Sequence, residues 1–148
     1  MTTRTIRKLR TVAPTLPLPS EHQSQAAFFA RVAMDPRTRD LPIFAIPNGG
    51  KRHVVTAMKL KAEGVKAGVP DIFVAVPMLE LYRDHDVMVE GVKGHGLFIE
   101  MKKKGNTPTT EQRAWIVMLS ARDYAAAVCY SADEAWQTLC AYLNLTPR

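Results

Sequence analysis

Apolar residues along this chain fall into two kinds of block, and their alternation predicts the architecture. Blocks spaced three and four residues apart read as helices, and continuous, partly β-branched runs read as buried strands. The first helical block is framed by Pro19 and by Asp35-Pro36. It opens on Ser20-Glu21-His22-Gln23, a capping box with Ser20 as N-cap and Gln23 reaching back. The spacing predicts a helix over 20–34 with Ala26, Phe29 and Ala33 as its inward stripe, widened by Phe28 and Val32. Glu21 and Gln25 lie one turn apart on a neighbouring face. As a first-turn acid Glu21 suits the helix dipole, and the pattern alone gives it no further task.

Leu41 to Ile46 predicts a short strand, ended by the turn signal Pro47-Asn48-Gly49-Gly50. Gly49-Gly50-Lys51 invites a phosphate-loop reading, but Ala45 stands where the first glycine is needed and Arg52 where the Ser or Thr is. That motif is rejected. A helix follows over about 52–63 with Val54, Val55, Met58 and Leu60 as its apolar residues, and Gly64 ends it. Gly68 allows a tight turn into Ile72–Val76, a buried central strand. From Pro77 to Gly96 the pattern loosens into a hairpin or long loop, in which Asp84-His85-Asp86 reads as a solvated turn ahead of a metal site. Leu97-Phe98-Ile99 resumes a buried strand.

Thr109-Thr110-Glu111-Gln112 is a second capping box, opening a helix to about Ala121 with Trp115, Met118 and Leu119 inward. Tyr124 to Tyr130 is a strand. Ser131-Ala132-Asp133-Glu134 is a third capping box, starting a helix with Ala135, Leu139 and Leu143 inward. The order α, β, α, β, β, α, β, α predicts one α/β domain over 20–148, a mixed central sheet flanked by helices. Residues 1–19 are basic and then Pro-rich, and a frayed tail is favoured there over a basic arm on DNA.

Composition narrows the partners. The 148 residues, 47% hydrophobic and 23% charged, suit one soluble domain. A net charge of +6 favours a polyanionic partner. The most basic segment sets Lys51, Arg52, Lys59, Lys61 and Lys66 against Glu63 alone. Cys129 and Cys140 read as one core strand thiol and one core helix thiol without a C-x-x-C pair, so a reducing, cytoplasmic setting is expected. No uncharged apolar run approaches the ~20 residues that span a bilayer, and no apolar segment follows the N-terminal charges, so neither membrane nor secretory signal is expected.

The chemistry-bearing residues sit at strand ends. Asp71 begins one buried strand and Glu100 ends the next; if these strands are antiparallel neighbours, both acids lie at one edge of the sheet. Two carboxylates there, with a main-chain carbonyl such as that of Met101, suit a hard cation, Mg²⁺ or Mn²⁺. Period-two alternation puts Glu100 and Lys102 on one face, where Lys102 can approach an attacking water or a phosphate oxygen. Phosphodiester hydrolysis needs both an acidified water and stabilised charge at phosphorus. His22, His53, His85 and His95 show no ligand spacing, which argues against zinc. No serine or cysteine has an identifiable base partner. A bare acid-x-lysine triplet is common by chance; its place at the end of an apolar strand gives it weight.

Pro70-Asp71 and Glu100-Met101-Lys102 resemble the PD-(D/E)xK nuclease signature. More narrowly, the chain resembles the virus-type replication-repair nuclease (VRR-NUC) domain over about residues 20–143. The residues that carry the likeness are Glu21, Ile46-Pro47-Asn48-Gly49-Gly50, the run from Lys61 to Asp71, Glu100-Met101-Lys102, and Gln112. Lys-x-x-Gly-x-x-x-Gly-x-Pro-Asp is far more specific than the triplet.

This resemblance implies a restriction-endonuclease-like core cutting DNA with Mg²⁺ or Mn²⁺. Asp71, Glu100 and the Met101 carbonyl would bind metal, with Glu21 completing the set. Lys102 would serve the attacking water, and Gln112 would orient the lysine or touch the scissile phosphate. Lys51, Arg52, Lys59, Lys66, Lys103 and Lys104 would contact DNA. Small free-standing phage and bacterial members are similar to dimeric Holliday-junction resolvases, so a homodimeric, structure-selective endonuclease on four-way junctions is expected. The alternatives are a nicking or restriction-type nuclease on duplex or flap DNA, and a non-catalytic basic DNA-binding module. Glu80 to Gly94 departs from the pattern as an insertion between the two motif strands.

Overall fold

The computed structural model describes residues 17–47 and 54–147, so the expectations for residues 1–16 and for Asn48, Gly49, Gly50, Lys51 and Arg52 lie outside the described residues. The elements run α1 (Glu21–Met34), β1 (Ile43–Ala45), α2 (Val54–Ala62), β2 (Ile72–Val74), β3 (Met78–Asp84), β4 (Val87–Gly94), β5 (Leu97–Met101), α3 (Thr110–Ser120), β6 (Ala125–Cys129) and α4 (Ala132–Tyr142). This is the predicted order with the uncertain stretch after Pro77 resolved as a hairpin.

One sheet takes the order β1-β2-β5-β6. β1 pairs with β2 and β2 with β5 antiparallel, while β5 and β6 run parallel, with α3 as the crossover. Alternation sorts the strand residues. Ile72, Val74, Leu97, Ile99, Met101 and Cys129 form one buried cluster with Phe28 and Val32 of α1 and with Trp136, Leu139 and Cys140 of α4. Opposite residues on the other face are Phe44, Phe73 and Phe98. The Phe73 and Phe98 rings stack at 4.4 Å, and Phe44 meets Phe73 edge-on at 5.7 Å. Both cysteines are free and buried, as their apolar neighbours predict.

The capping boxes of α1 and α3 form as predicted, each with the side chain of its third residue returning to the cap backbone. At α4 the box is incomplete: Ser131 Oγ accepts from Glu134 N at 3.1 Å, but Glu134 Oε2 accepts from Tyr130 N at 2.7 Å, one residue before the cap. The inward stripes of α1 and α3 also differ. α1 buries Ser24, Phe28 and Val32, with Phe29 half-buried and Ala26 and Ala33 exposed. An alanine methyl offers little apolar area, so the phenylalanines set the roll of the helix. On α3 Leu119 is buried while Met118 is exposed, and on α2 Met58 is exposed.

β3 and β4 form a separate two-stranded sheet that turns through His85 and Asp86. Asp84-His85-Asp86 is a solvated turn: the His85 side chain is 96% exposed and its φ is 53°. Along one face of the ribbon Leu79, Leu81 and Arg83 lie opposite Val92, Glu90 and Met88. Leu79, Leu81, Met88 and Val92 are all exposed. An isolated hairpin is marginal in water, so its apolar face is a surface in want of cover. Among the described residues no helix is long and apolar enough to cross a membrane.

Candidate active site

The β2–β5 register places the two acids. Ile72 lies opposite Ile99, so Asp71 and Glu100, one step further, face each other at the end of the ladder. Asp71 is fixed there because its Oδ2 accepts the backbone N–H of Met101 at 2.8 Å. Alternation then carries Lys102 to the same side as Glu100, and Lys102 Nζ donates to Glu100 Oε1 at 2.6 Å. Lys102 Nζ also lies 3.4 Å from the Met101 carbonyl. Pairing with the next strand continues this far, since Lys102 N donates to Cys129 O at 2.9 Å.

Two helix N-termini complete the arrangement. Gln112 spends its amide twice: Oε1 accepts from Thr109 N at 2.8 Å as part of the cap, and Nε2 donates to Glu100 Oε1. Its partner in the site is therefore the acid, on the oxygen the lysine also uses. Glu21 Oε1 accepts from Lys103 N at 3.0 Å and lies 3.4 Å from Asn106 Nδ2. Its visible task is to brace the loop after β5, and both bonds fall on one oxygen. A cleft of about 450 Å³ opens above, lined by Glu21, Lys102, Gly105, Asn106, Thr107 and Thr109.

Gly68 explains why the segment before Asp71 has its sequence. Its φ is +81°, and a Cβ there would lie 2.7 Å from Glu111 Cβ and 2.8 Å from the Glu111 carbonyl carbon. The chain thus runs directly over the start of α3, and Trp115 Nε1 pins the same turn by donating to Ala67 O at 2.9 Å. Asp71 and Gln112 are held in mutual register through that contact. Neither Asn106 nor the Gly68–Glu111 contact was foreseeable from spacing, because both are long-range; only the glycine itself gave a signal.

Crowding of acids around one ammonium shows in their titration. Burial pushes Glu100 up to about 7 against the pull of the Lys102 hydrogen bond, with the charges of Asp71 and Glu21 adding to the rise. Burial also raises Asp71, only partly countered by the Met101 N–H and Lys102. For Lys102 burial works against the charge, but the Glu100 hydrogen bond and the surrounding carboxylates outweigh it, and its pKa is raised. The ammonium is therefore retained, and the negative charge is in excess.

That excess bears on a metal. Glu100 is 1% exposed, and its Oε2 has no hydrogen-bond partner among the described residues. An orphaned buried carboxylate oxygen beside Asp71 and a main-chain carbonyl is a donor set of hard oxygens, which fits Mg²⁺ or Mn²⁺. Among the described residues no group of three or more His, Cys, Asp or Glu stands together so as to hold a metal ion, which leaves two carboxylates and a main-chain carbonyl as the donors. Mg²⁺ characteristically takes one or two carboxylates and keeps waters, so an open set is in character.

Of the basic residues expected at DNA, Lys103 and Lys104 are exposed on the loop beside the cleft. Lys59 is exposed on α2, and Lys66 lines a separate groove with Ile46, Pro47 and Trp115.

The comparisons with known proteins point to one family. A family model, the VRR-NUC domain, matches residues 18–133. The chain is similar to a solved structure, a VRR_NUC domain protein, at 27% identity, covering 88% of this chain and 93% of that one with a TM-score of 0.67. No curated protein matches.

Two outcomes follow from the site. Because the folded-state pKa of Glu100 lies above its ordinary value, the stability tied to its protonation is fully present below the usual carboxylate range and lost as pH rises through about 7. Without divalent ions, Tm is expected to fall as pH rises from about 4.5 to about 7, and Glu100→Gln to flatten that fall; an unchanged slope would remove Glu100 from the account. Gly68→Ala must push α3 away, so a loss of about 1–3 kcal/mol in denaturant unfolding is expected, with lower cleavage.

Proposed function

We propose that this chain, which belongs to the VRR-NUC domain family and carries a nuclease domain of the PD-(D/E)xK type, is a divalent-metal-dependent, structure-selective DNA endonuclease. The observation that carries this is the facing pair Asp71 and Glu100 with Lys102 Nζ 2.6 Å from Glu100 Oε1 and Glu100 Oε2 left without a partner. Asp71, Glu100 and the Met101 carbonyl would hold the cation, and Glu21 lines the adjoining cleft with Lys102. When bound, a divalent ion supplies acidification of water and charge stabilisation at phosphorus.

The chain's own residues have distinct tasks. Lys102, held as an ammonium, is a donor only, so it orients a phosphate oxygen or the lone pair of an attacking water rather than removing a proton. Gln112 keeps Glu100 Oε1 turned toward Lys102 and leaves Oε2 facing the metal position. Glu21 fixes the Lys103–Asn106 loop, which presents Lys103 and Lys104 to the DNA backbone. Burial strengthens each of these interactions relative to water. Lys59 and Lys66, both exposed, are further candidates for phosphate contact.

The substrate proposed is the four-way DNA junction, cut by a homodimer in the cytoplasm of a bacterial or phage-infected cell. Support for a dimer comes from the hairpin. Its face of Leu79, Leu81, Met88 and Val92 is uncovered, and residues 78–94 hold four acids against two bases in a chain of net charge +6. An acidic apolar ribbon repels phosphate and suits a protein partner; Arg83 and Glu90 on that face can pair reciprocally across a twofold axis.

Lys102→Ala and Asp71→Ala are each expected to slow single-turnover cleavage in Mg²⁺ by about 10²-fold or more while DNA affinity stays within a few-fold. A panel of four-way junction, flap, splayed arm and linear duplex reads the preference at the same time; linear duplex cut as fast as the junction would favour the nicking or restriction-type alternative. Robust cutting by Asp71→Ala would sink the assignment. Native mass measurement is expected to give a dimer that Leu81→Lys weakens by about tenfold or more, and a monomeric wild type would refute the dimer.

A further inference from the structure

A second cavity adjoins the catalytic cleft. It measures about 550 Å³, within the range of sites that bury a small ligand group, and Gly105, Asn106 and Thr107 line both spaces. Leu18, Pro19 and Tyr130 contribute its apolar walls, while Lys104, Asn106 and Glu134 contribute polar groups. We propose that this cavity is a nucleobase subsite, which takes the base of one nucleotide flanking the scissile phosphate and thereby selects which phosphodiester reaches Lys102. The inference rests on the nuclease reading above and goes beyond it in naming what the neighbouring cavity binds.

Three observations support a base over another occupant. First, the shared wall is short: a strand whose phosphate lies in the cleft beside Lys102 needs only to pass the Gly105–Thr107 loop to enter the second space. Second, two parts of the lining are anchored. Tyr130 N donates to Glu134 Oε2 at 2.7 Å and Ser131 caps α4, which fixes Tyr130 at the helix start. On the other side the loop is braced by Glu21 through Lys103 N at 3.0 Å. An aromatic side chain among apolar neighbours offers a stacking surface, indifferent to base identity because every base has a π-face.

Third, the polar groups match the edges of a nucleotide. Lys104 is exposed at the rim, where a flanking phosphate would pass. Glu134 Oε2 is engaged by the backbone, and its other oxygen has no hydrogen bond among the described residues, so it can accept from an exocyclic amino group. A neutral apolar ligand would leave Lys104 and Glu134 unused, and a free phosphate would gain nothing from Leu18, Pro19 and the tyrosine ring.

The test uses the full chain and a DNA substrate whose cut position has been mapped to the nucleotide. Single abasic residues are placed in turn at the two positions on either side of the cut. In wild type, one position is expected to lower cleavage at that phosphate by about tenfold, the effect of a lost stacking contact. Tyr130→Ala is expected to show the same loss on intact DNA and no further loss on the abasic strand. Leu18→Ser, on an exposed segment, serves the same comparison should Tyr130→Ala fail to fold. Cutting that is insensitive to every abasic position, or losses that simply multiply, would overturn the subsite while leaving the nuclease reading intact. Absence of cutting on any DNA with Mg²⁺ or Mn²⁺ would overturn both.

Discussion

The hydrogen bond from Met101 N to Asp71 Oδ2, 2.8 Å long, stands where the next backbone bond of the β2–β5 ladder would have been. A side chain closes the strand pairing, and the residue that closes it is also the acid of the site. Everything else depends on that register. Ile72, Val74, Leu97 and Ile99 are buried against α1 and α4, and a slip of one residue would turn all four to the opposite face. The hydrophobic core thus sets the spacing of the charges, and Glu100, 1% exposed, is enclosed beside Asp71, Lys102 and Gln112.

Bringing charge to that position is costly. Asp71, Glu100 and Glu21 act on one another electrostatically with Lys102 as the near cation, and removing either partner of such a buried pair leaves the other uncompensated. Two devices ease the crowding. α1 and α3 both present their N-terminal turns to the site, through Glu21 and Gln112, and the positive ends of those helix dipoles favour acids there. The amide of Gln112 adds a donor on the oxygen already held by Lys102. What stays unmatched is Glu100 Oε2, the oxygen that the proposed cation would match.

Much of this was legible because it is local. Strand ends, the capping boxes at Ser20 and Thr109, and the side shared by Glu100 and Lys102 depend on neighbours within four residues. The double use of Gln112 was not legible. Its capping role is local, but its bond to Glu100 depends on where α3 lands after the Lys103–Pro108 loop. From its pattern Glu21 reads as a first-turn acid and from the resemblance as a metal ligand, and neither reading reaches the loop it braces, since its partners lie 82 and 85 residues away. The Phe28 roll of α1 and the exposed Met118 show the other weakness: alanine, methionine and phenylalanine count alike in a periodicity, whereas packing weighs them by area. The hairpin was half-read, because its apolar residues point to water and no alternation marks an inner face.

The protonation of Lys102 limits what the site can ask of it. A lysine whose pKa is raised by three surrounding carboxylates keeps its proton at working pH, so it has no lone pair with which to act as a base. Its hydrogens are directed instead, one to Glu100 Oε1 and another near the Met101 carbonyl. The ammonium is thereby tied to the strand that carries the acid, and it can face a phosphate oxygen only from that fixed position. Positioning of the DNA must then come from elsewhere on the surface. The loop braced by Glu21 is the element we propose for it, since it walls the cleft on one side and the Tyr130 cavity on the other.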